Sequence, residues 1–556
     1  MARTLYLTTL TPVHIGTGNK LQPFDYVVLD SVFHKIDADE VFRTLYEKYP
    51  HAADQLLEWI DDTSKEFEKY EKSNKQASQA KKDFTLLSYI EKKINDKELL
   101  QTIKNHLKNE EKYVVYSMEY APTLKRKMEI QEGVKTGSHE LYIPGSSLKG
   151  ALRTILLSSA LQNSSSEKKK ELSKKIVNKL AGPENIEKLK TKIGTILEEE
   201  FFFCGAVDRN GRPIIGDAKY DLMKLLHISD STSLPSREAG SISTIDLYLK
   251  NGKEPQRQAP AVEAIRAGKE FKVTVSFDVE FLFTASSLLQ KNDPCFGKTE
   301  WIDIEEKVQT LFNLNLRTIE KYTKDELEEF LLSNLLEKIN NVSKEMREKE
   351  AEWAQVVSEN SKSEYKNKAA IMLKFYEQLP PQSIKVGYSS GFYATTLFLP
   401  MSHSPELRET EKSLLEKFKI GKTADRRPAA VTKEFSMEKF PTSRRFETQT
   451  ESISPMGWIA VTAEPLKEAP LLENISLRRE TTITVQPNEI TAIILEIKSA
   501  RAALGKIENK EFAGSEVEIR GAHFQNLGIT KGSRIVVEVK TQNKKLQSVN
   551  FRKKIS

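Results

Sequence analysis

The chain has 556 residues, and a typical domain size of roughly 150 residues predicts about three or four units. Its 85 Lys and Arg nearly cancel its 79 Asp and Glu. This excludes a polycationic tail protein, so nucleic-acid binding would need a local basic surface. No apolar run is long enough for a membrane span, and the N-terminus lacks a signal-peptide pattern. The two cysteines form no CxxC, which disfavours a cysteine zinc site and favours a reducing cytoplasm.

The first elements in chain order are strands, and a charged helical segment follows them. Residues 26–29 lead through Asp30 and Ser31 into a second apolar run, which predicts a hairpin. From about 38 to 112 the apolar residues recur at helical spacing, with Asp37 or Asp39 available as the N-cap. Residues 61–112 carry 12 Lys and 11 acidic residues and neither Gly nor Pro. This composition predicts a helical insertion with a solvated face.

Strands and helices then alternate, which predicts an α+β fold. The clearest strand is 271–279, where apolar and polar residues alternate. Residues 163–200 and 300–380 are charged and helical, and we interpret them as two further insertions. Shorter strands are predicted at 113–116, 140–143, 201–203, 245–249, 394–399 and 456–462. An apolar helix is predicted from the glycine-bounded turn after Ile143 to Leu161.

The tail differs in character from the rest. Short strands at 493–495, 517–519, 535–539 and 549–551 are partly separated by glycines. Short strands at this spacing predict a small β-rich domain over 478–556, a barrel of OB type.

The most informative stretch is 142–153, YIPGSSLKGALR. Its Pro and Gly predict a strand-to-helix turn, with Ser146 or Ser147 as the helix cap. Free N–H groups at a helix start favour an anion, and Lys149 and Arg153 lie on one helical face. Ala151 and Leu152 occupy the Lys and Ser/Thr positions of a P-loop, which excludes nucleotide hydrolysis. A tight turn with incidental charges is the simpler alternative.

Two further glycine loops follow strands. Residues 11–18 read TPVHIGTG, which is half of a dinucleotide fingerprint and therefore weak as one. A glycine loop lets the backbone approach a phosphate closely. His14 could act as a general base, although a histidine bonded to the backbone is the more frequent case. Residues 386–393, VGYSSGFY, combine glycines with aromatic rings that can stack on unpaired bases; core packing is the alternative.

Two basic doublets, Arg426-Arg427 and Arg444-Arg445, complete the candidate segments. Each alone is typical of a solvated loop. Taken together, the segments resemble RAMP proteins of type III CRISPR systems. The resembling segments are 11–18, 142–153, 228–231, 387–391, 441–445 and 455–458. Their order is similar to the branch that caps the crRNA at its 3′ end in the type III-A (Csm) complex. The resemblance spans roughly 3–465 and leaves out the tail.

The resemblance implies a ferredoxin/RRM-like core over 1–470, interrupted by the helical insertions. It also implies binding of the 3′ part of single-stranded crRNA, packing on the backbone RAMP subunits and other Csm proteins, and a part in crRNA 3′-end maturation. No cofactor and no metal are implied. The implied RNA-binding residues are Gly16, Gly18, Gly145, Ser146, Ser147, Lys149, Gly150, Arg153, Gly387, Tyr388, Gly391, Arg444 and Arg445.

Two alternatives stay open from the sequence. The first is a RAMP-class endoribonuclease, with His14 as a base or Asp25 as a metal-dependent group. The capping branch is regarded as non-catalytic, so we expect a structural role for Asp25. The second is recruitment of protein partners, such as a host nuclease, by the helical blocks and the tail. The Gly-Gly-Asp-Asp and His-Asp motifs of the large polymerase-like subunit are absent.

Overall fold

The computed structural model describes residues 2–554 apart from segments that lie mainly at 52–85, 121–128, 183–185, 250–260, 361–364, 419–440, 449–452, 473–488, 508–515 and 521–528, together with single positions. The chain divides into two compact units, Met1–Ser476 and Leu477–Ser556. The α+β fold with helical insertions and a small C-terminal barrel is confirmed.

The elements of the first unit alternate between strands and helices. Its strands are β1 Arg3–Thr9, β2 Gly16–Leu21, β3 Tyr26–Leu29, β4 Val32–Ile36, β5 Val114–Tyr120, β6 Ile130–Gly133, β7 Ala206–Val207, β8 Pro213–Ile214, β9 Leu226–Ile228, β10 Gly240–Leu249, β11 Ala261–Ile265, β12 Glu270–Phe277, β13 Ser383–Lys385, β14 Ser443–Thr448, β15 Ile453–Pro455 and β16 Trp458–Thr462. Its α-helices are α1 Ala38–Lys48, α2 Leu86–Tyr89, α3 Lys97–Lys108, α4 Gly145–Asn163, α5 Ser166–Ala181, α6 Ile186–Phe201, α7 Ser236–Ala239, α8 Val279–Gln290, α9 Ile304–Phe312, α10 Lys324–Asn360, α11 Tyr365–Gln378, α12 Phe392–Thr395, α13 Phe398–Ser402 and α14 Arg408–Lys417.

The first strand lies in the middle of an antiparallel sheet with the order β13-β16-β1-β12-β9. Leu7 pairs with Phe271 on one side and with Val461 on the other, so the sheet joins the two ends of the unit. The alternation predicted for 271–279 is confirmed through Phe277. The strand ends there because the Asp278 carboxylate accepts the Phe281 N–H at 3.0 Å and caps α8.

A second, mixed sheet follows the order β2-β6-β11-β10-β5-β4-β3, and β14 and β15 extend it from β10. It contains the predicted hairpin, whose second strand extends to Ile36 and whose turn residues Asp30 and Ser31 both have positive φ. Asp37 caps α1 as predicted, through a hydrogen bond from the Glu40 N–H at 3.0 Å. The strand β11 is buried along its whole length, in keeping with its central position.

The helical insertions also bury apolar residues. Val41, Leu45, Ile90 and Ile103 form a separate apolar core with their neighbours in the first insertion. The helices α5, α6, α10 and α11 confirm the predicted helical blocks, and α10 packs along α4. Among the described residues, no helix is long and apolar enough to cross a membrane.

Three predicted strands are wrong. Residues 201–203 end helix α6, and Phe203 makes only a single bridge to Asp221. Leu141 likewise makes isolated bridges instead of the strand predicted at 140–143. In the run 394–399, Ala394 and Thr395 end α12, and Phe398 and Leu399 begin α13. There the hydroxyls of Thr395 and Thr396 donate to carbonyls four residues earlier, an interaction that a short apolar run does not reveal.

The second unit is a closed barrel with the order β17-β18-β19-β21-β20, formed by Glu489–Ser499, Ala502–Ile507, Glu516–Arg520, Lys545–Lys554 and Arg534–Gln542 respectively. Ile494, Ile519, Phe524 and Ile535 fill its interior. The predicted small β-barrel is therefore confirmed, and its described strands are five, as in an OB-type barrel. Asn251-Gly252 favours a hairpin turn after the strand predicted at 245–249; these two residues lie outside the described part of the chain.

Candidate nucleic-acid interface

The segments 142–153 and 228–231, far apart in sequence, lie against each other. The Gly145 N–H donates to the Asp230 carboxylate at 2.8 Å, and the Ile143 N–H donates to the Ser231 hydroxyl at 2.9 Å. A Cβ on Gly145 would lie 2.5 Å from the Ser229 carbonyl oxygen. Glycine is therefore required here by close approach of two backbones.

The segment 11–18 makes a second contact of this kind with two late segments. The Gly457 N–H donates to the Pro12 carbonyl at 2.8 Å, and the Tyr388 N–H donates to the His14 carbonyl at 2.7 Å. Gly387 has φ +74, and a methyl group there would collide with the His14 carbonyl oxygen. The structure therefore brings the first and third glycine loops together.

A buried residue, Glu263 on β11, contacts the first loop and hydrogen-bonds to its neighbours. Its side chain accepts hydrogen bonds from the Tyr116 hydroxyl at 2.6 Å, the Gly133 N–H at 2.8 Å and the Lys135 ammonium at 2.5 Å. Its backbone carbonyl lies 2.6 Å from His14 Nδ1. Because a carbonyl only accepts, Nδ1 carries the proton, and the carboxylate is fully satisfied.

The segment 133–143 connects the two contacts. The Val134 N–H donates to the Ile15 carbonyl at 2.8 Å, and the Leu141 N–H donates to the Leu234 carbonyl at 2.8 Å. Three residues before Leu234, the Ser231 N–H donates to the Ile143 carbonyl at 3.1 Å. The three glycine loops therefore belong to one hydrogen-bonded framework within the first unit.

Part of this framework faces solvent. Gly16, Gly18, Gly150 and Gly387 are exposed, as is Ser146. Gly391, by contrast, is half-buried and lies near the Lys385 and Glu350 side chains.

The predicted basic side chains are of two kinds, those without an ion pair among the described residues and those that are ion-paired. Lys149 forms no hydrogen bond or ion pair with the described residues; burial lowers the pKa of its ammonium. Arg445 is exposed and lies over the Tyr388 ring, with Nη1 3.1 Å from the phenol oxygen. Arg153 instead pairs with Asp221 at 2.9 Å and Glu198 at 3.1 Å. Arg444 is buried and pairs with Glu350 at 2.7 Å.

The predicted helix cap is wrong. Neither Ser146 nor Ser147 caps α4, because Pro144 occupies the N-cap position without a side-chain bond. Asp230 takes the Gly145 N–H, and the Ser147 and Leu148 N–H groups both point to the Pro144 carbonyl. A carboxylate of the chain itself thus lies where the sequence predicted an anion, so the helix start is a poorer phosphate site than expected.

The two catalytic candidates, His14 and Asp25, both interact with other groups of the protein. Burial lowers the pKa of the His14 imidazole, and its hydrogen bond to the Glu263 carbonyl opposes that effect. Asp25 accepts the Gln22 N–H at 2.7 Å and lies 3.5 Å from the Lys35 ammonium. Within the described residues, no group of three or more His, Cys, Asp or Glu is placed to hold a metal ion.

Sequence reasoning missed Glu263 and Glu350, two buried carboxylates that pair with cations of this region. A signal for Glu263 was available, because it is the single charge within the apolar strand 261–265. Glu350 carried no such signal, since it lies in a helix rich in surface charges. Arg426 and Arg427 lie outside the described residues.

The sequence profile of the RAMP superfamily matches residues 6–353. This region includes the first two glycine loops and Glu263, and the chain therefore belongs to the RAMP superfamily.

The chain is also similar to individual proteins in sequence or in fold. The chain is 28% identical over 154 residues to CRISPR system Cms protein Csm5 of Enterococcus italicus, a match that covers 26% of the chain and 40% of that relative. A chain in the cryo-EM structure of the Csm-crRNA-target RNA ternary complex of a type III-A system is 20% identical, with a TM-score of 0.49 and coverage of 83% of this chain and 100% of that one. The crystal structure of T. onnurineus Csm5 gives 20% identity and a TM-score of 0.46, covering 82% and 100%.

Gly387→Ala tests the contact between the first and third loops. A left-handed backbone costs a non-glycine residue about 1–3 kcal/mol, and the collision with His14 adds to that cost. We expect a clear fall in the thermal midpoint of unfolding. Gly194→Ala is the matched control, because a Cβ there meets open space within helix α6. It should stabilise the protein slightly; an equal fall in both variants would contradict the close approach.

Glu263→Gln tests the buried carboxylate. Losing the charge leaves the buried Lys135 ammonium with only the Glu132 carboxylate, 3.8 Å away, as a counter-ion. Breaking a buried ion pair by removing one partner costs about 3–5 kcal/mol. We expect a large loss of unfolding free energy in urea titrations. Glu129→Gln, which breaks the exposed pair with Lys20, should cost less than about 1 kcal/mol. Similar losses in the two variants would show that Glu263 has no special role.

Proposed function

We propose that the chain is a non-catalytic, RNA-binding subunit of a cytoplasmic type III-A CRISPR-Cas interference complex. In this proposal it caps the 3′ end of the crRNA, packs on the backbone RAMP subunits and supports crRNA 3′-end maturation in antiviral defence. The observation that carries the proposal is the single framework that presents exposed glycine loops beside Lys149 and Arg445. The similarity to Csm5 supports the choice of complex.

The physical case for RNA is strongest at the third loop. Tyr388 is half-buried, and Arg445 lies 5.5 Å from its ring centroid and donates to its hydroxyl. A base can stack on such an aromatic and guanidinium pair, and exposed Gly387 leaves room for the sugar-phosphate backbone. The first loop is less favourable to phosphate, because the Asn19 side chain is bonded to the Glu132 carboxylate at 3.3 Å. We therefore assign sugar or base contacts to Gly16 and Gly18, and phosphate contacts to Lys149 and Arg445.

Lys149→Ala combined with Arg445→Ala tests this assignment. We expect RNA binding to weaken to a similar extent for all RNA sequences, and the salt dependence of binding to fall by about one unit of slope for each lost phosphate contact. The thermal midpoint should stay unchanged, since neither cation is in an ion pair of the described structure. Fluorescence anisotropy with labelled single-stranded RNA at several salt concentrations provides the measurement.

Two controls accompany that variant. Lys291→Ala with Arg317→Ala removes the same charge elsewhere in the first unit and should leave binding nearly unchanged. Arg153→Ala should lower the thermal midpoint, because it leaves Asp221 and Glu198 without their partner. Retention of full affinity and salt slope in the Lys149 and Arg445 variant would refute the assignment.

The endoribonuclease alternative draws on one specific observation. With the proton on Nδ1, the free lone pair of His14 is on Nε2, and a Cβ on Gly16 would lie 3.0 Å from that atom. However, His14 is only 2% exposed, so an RNA 2′-hydroxyl would not reach it without a change in the loop.

Incubation of the purified protein with labelled crRNA precursor, with and without EDTA, separates the two functions. We expect no specific cleavage by the protein or by its His14→Ala and Asp25→Asn variants. Specific cleavage that either substitution abolishes would establish the alternative. Recruitment of a host nuclease or another protein by the insertions and the tail is a separate proposal, compatible with either result.

A further inference from the structure

The strand directions of the C-terminal barrel define its two ends. Strand β18 is antiparallel to β17 and β19, and β19 is parallel to β21. Strand β20 is antiparallel to β17 and β21. The C-terminal ends of β17, β19 and β21 and the N-terminal ends of β18 and β20 therefore share one end of the barrel.

Positive charge is concentrated at that end. The three positions nearest to it on each of the five strands include one acidic residue, Glu518, whose carboxylate accepts from Arg520 Nε at 2.7 Å. The corresponding positions at the opposite end hold three cations and three acidic residues, with Glu518, the middle residue of β19, counted at both ends. The first end, which we call the basic end, holds six cations, namely Lys498, Arg520, Arg534, Arg552, Lys553 and Lys554.

The strand register places these cations on neighbouring strands. Lys553 and Lys554 pair with the two residues that follow Arg534, so the end of β21 lies beside the start of β20. Arg520 pairs with β18 on one side and with β21 on the other. Lys498 is the last residue but one of β17, where that strand pairs with the start of β18. Because paired strands lie about 4.8 Å apart, cations from segments distant in sequence come together at one end.

The basic end has exposed cations and a clear excess of positive charge. Lys498 is exposed, as is Lys531, which precedes β20 by three residues. Neither ammonium forms an ion pair with the residues that the structure describes. Glu496 lines a cavity together with Lys531. Glu496 and Glu518 offset two of the seven positive charges, so this end attracts anions.

The chemistry of the basic end fits a nucleic-acid backbone. Arginine and lysine bind phosphate oxygens through charge-assisted hydrogen bonds. The rings of Phe524 and Phe551 pack in the barrel core, so they are not presented to unpaired bases. Barrels of OB type bind oligonucleotides, and this likeness of fold favours nucleic acid over an acidic protein. Contacts to phosphates carry no sequence information.

We infer that the basic end is a second nucleic-acid site, which binds the phosphate backbone without preference for base sequence. The site goes beyond the proposed function, because that function rests on the glycine loops, Lys149 and Arg445 of the first unit. The shared chemistry of the ligand is the phosphodiester backbone, which single-stranded RNA and single-stranded DNA both supply.

Combined substitution Lys498→Gln, Lys553→Gln and Lys554→Gln tests the site in the full-length chain. Lys149→Ala and Arg445→Ala are introduced as well, so that these cations of the first unit do not contribute. Before the three glutamine substitutions, this chain should still bind labelled single-stranded RNA in fluorescence anisotropy. The three substitutions should then make the slope of log affinity against log salt shallower by about two units, because each phosphate contact with a single strand contributes about 0.7.

The matched control is Lys506→Gln, Lys540→Gln and Lys545→Gln, which removes the same charge from the opposite end of the same barrel. Its salt slope should stay unchanged, and thermal midpoints measured alongside show that each variant is folded. An unchanged slope in the first variant would overturn the proposal and leave an acidic protein as the partner of this end. An equal change in both variants would also overturn it, because the attraction would then follow net charge alone.

Two comparisons define the ligand. RNA strands of equal length and different sequence should bind with equal affinity, and a tenfold preference for one of them would contradict recognition through phosphates. Competition by unlabelled single-stranded DNA would show that either nucleic acid is a ligand, whereas competition by RNA alone would identify RNA through its 2′-hydroxyl. The experiment contains no Csm protein and does not depend on Lys149 or Arg445, so its failure is distinct from failure of the proposed function.

Discussion

The buried Glu263 carboxylate is the interaction on which the candidate interface depends. Its side chain satisfies donors from Tyr116, Gly133 and Lys135, and its carbonyl fixes His14. Ionised carboxylates are costly to bury unless their charge and lone pairs are compensated. Here compensation requires strands β5, β6 and β11 and the first glycine loop to adopt one arrangement together. The position of the first loop is thus specified by the core rather than by the loop's own sequence.

Close backbone approach explains why the glycines recur in this order. Gly145 lies against Ser229, and Gly387 lies against His14. Each contact joins segments separated by many residues, so a side chain at either glycine would separate two parts of the framework. Segments that resemble RAMP proteins therefore contact one another in the fold. The number of residues between them depends on the lengths of the insertions. The first helical insertion can vary without moving these contacts, since it packs largely on its own core, whereas the two later insertions contribute to the main core.

The sequence predicted the fold class, the barrel and the long helical blocks, because each rests on a periodicity that persists over many residues. It failed where local side-chain hydrogen bonds or tertiary contacts decide the structure. The run 394–399 is helical owing to local hydroxyl bonds. The resemblance implied that Arg444 and Arg445 both bind RNA, yet strand geometry directs the Arg444 side chain into the core. Lys149 and Arg153 share a helical face, and the helix sequence alone does not tell them apart. They differ because Arg153 is ion-paired with Asp221 and Glu198, which lie on distant segments.

The distribution of charge constrains the RNA binding that we propose for the first unit. Residues 477–556 hold 15 of the 85 Lys and Arg but only 8 of the 79 Asp and Glu, a net charge of +7, which leaves −1 on residues 1–476. Non-specific attraction to a phosphate backbone scales with the number of cations that meet it. A unit without excess positive charge must therefore bind RNA through a few well-placed cations, base stacking and the shape of its backbone. All of these interactions act only at short range. Long-range attraction of RNA, where the chain exerts any, comes from the basic barrel.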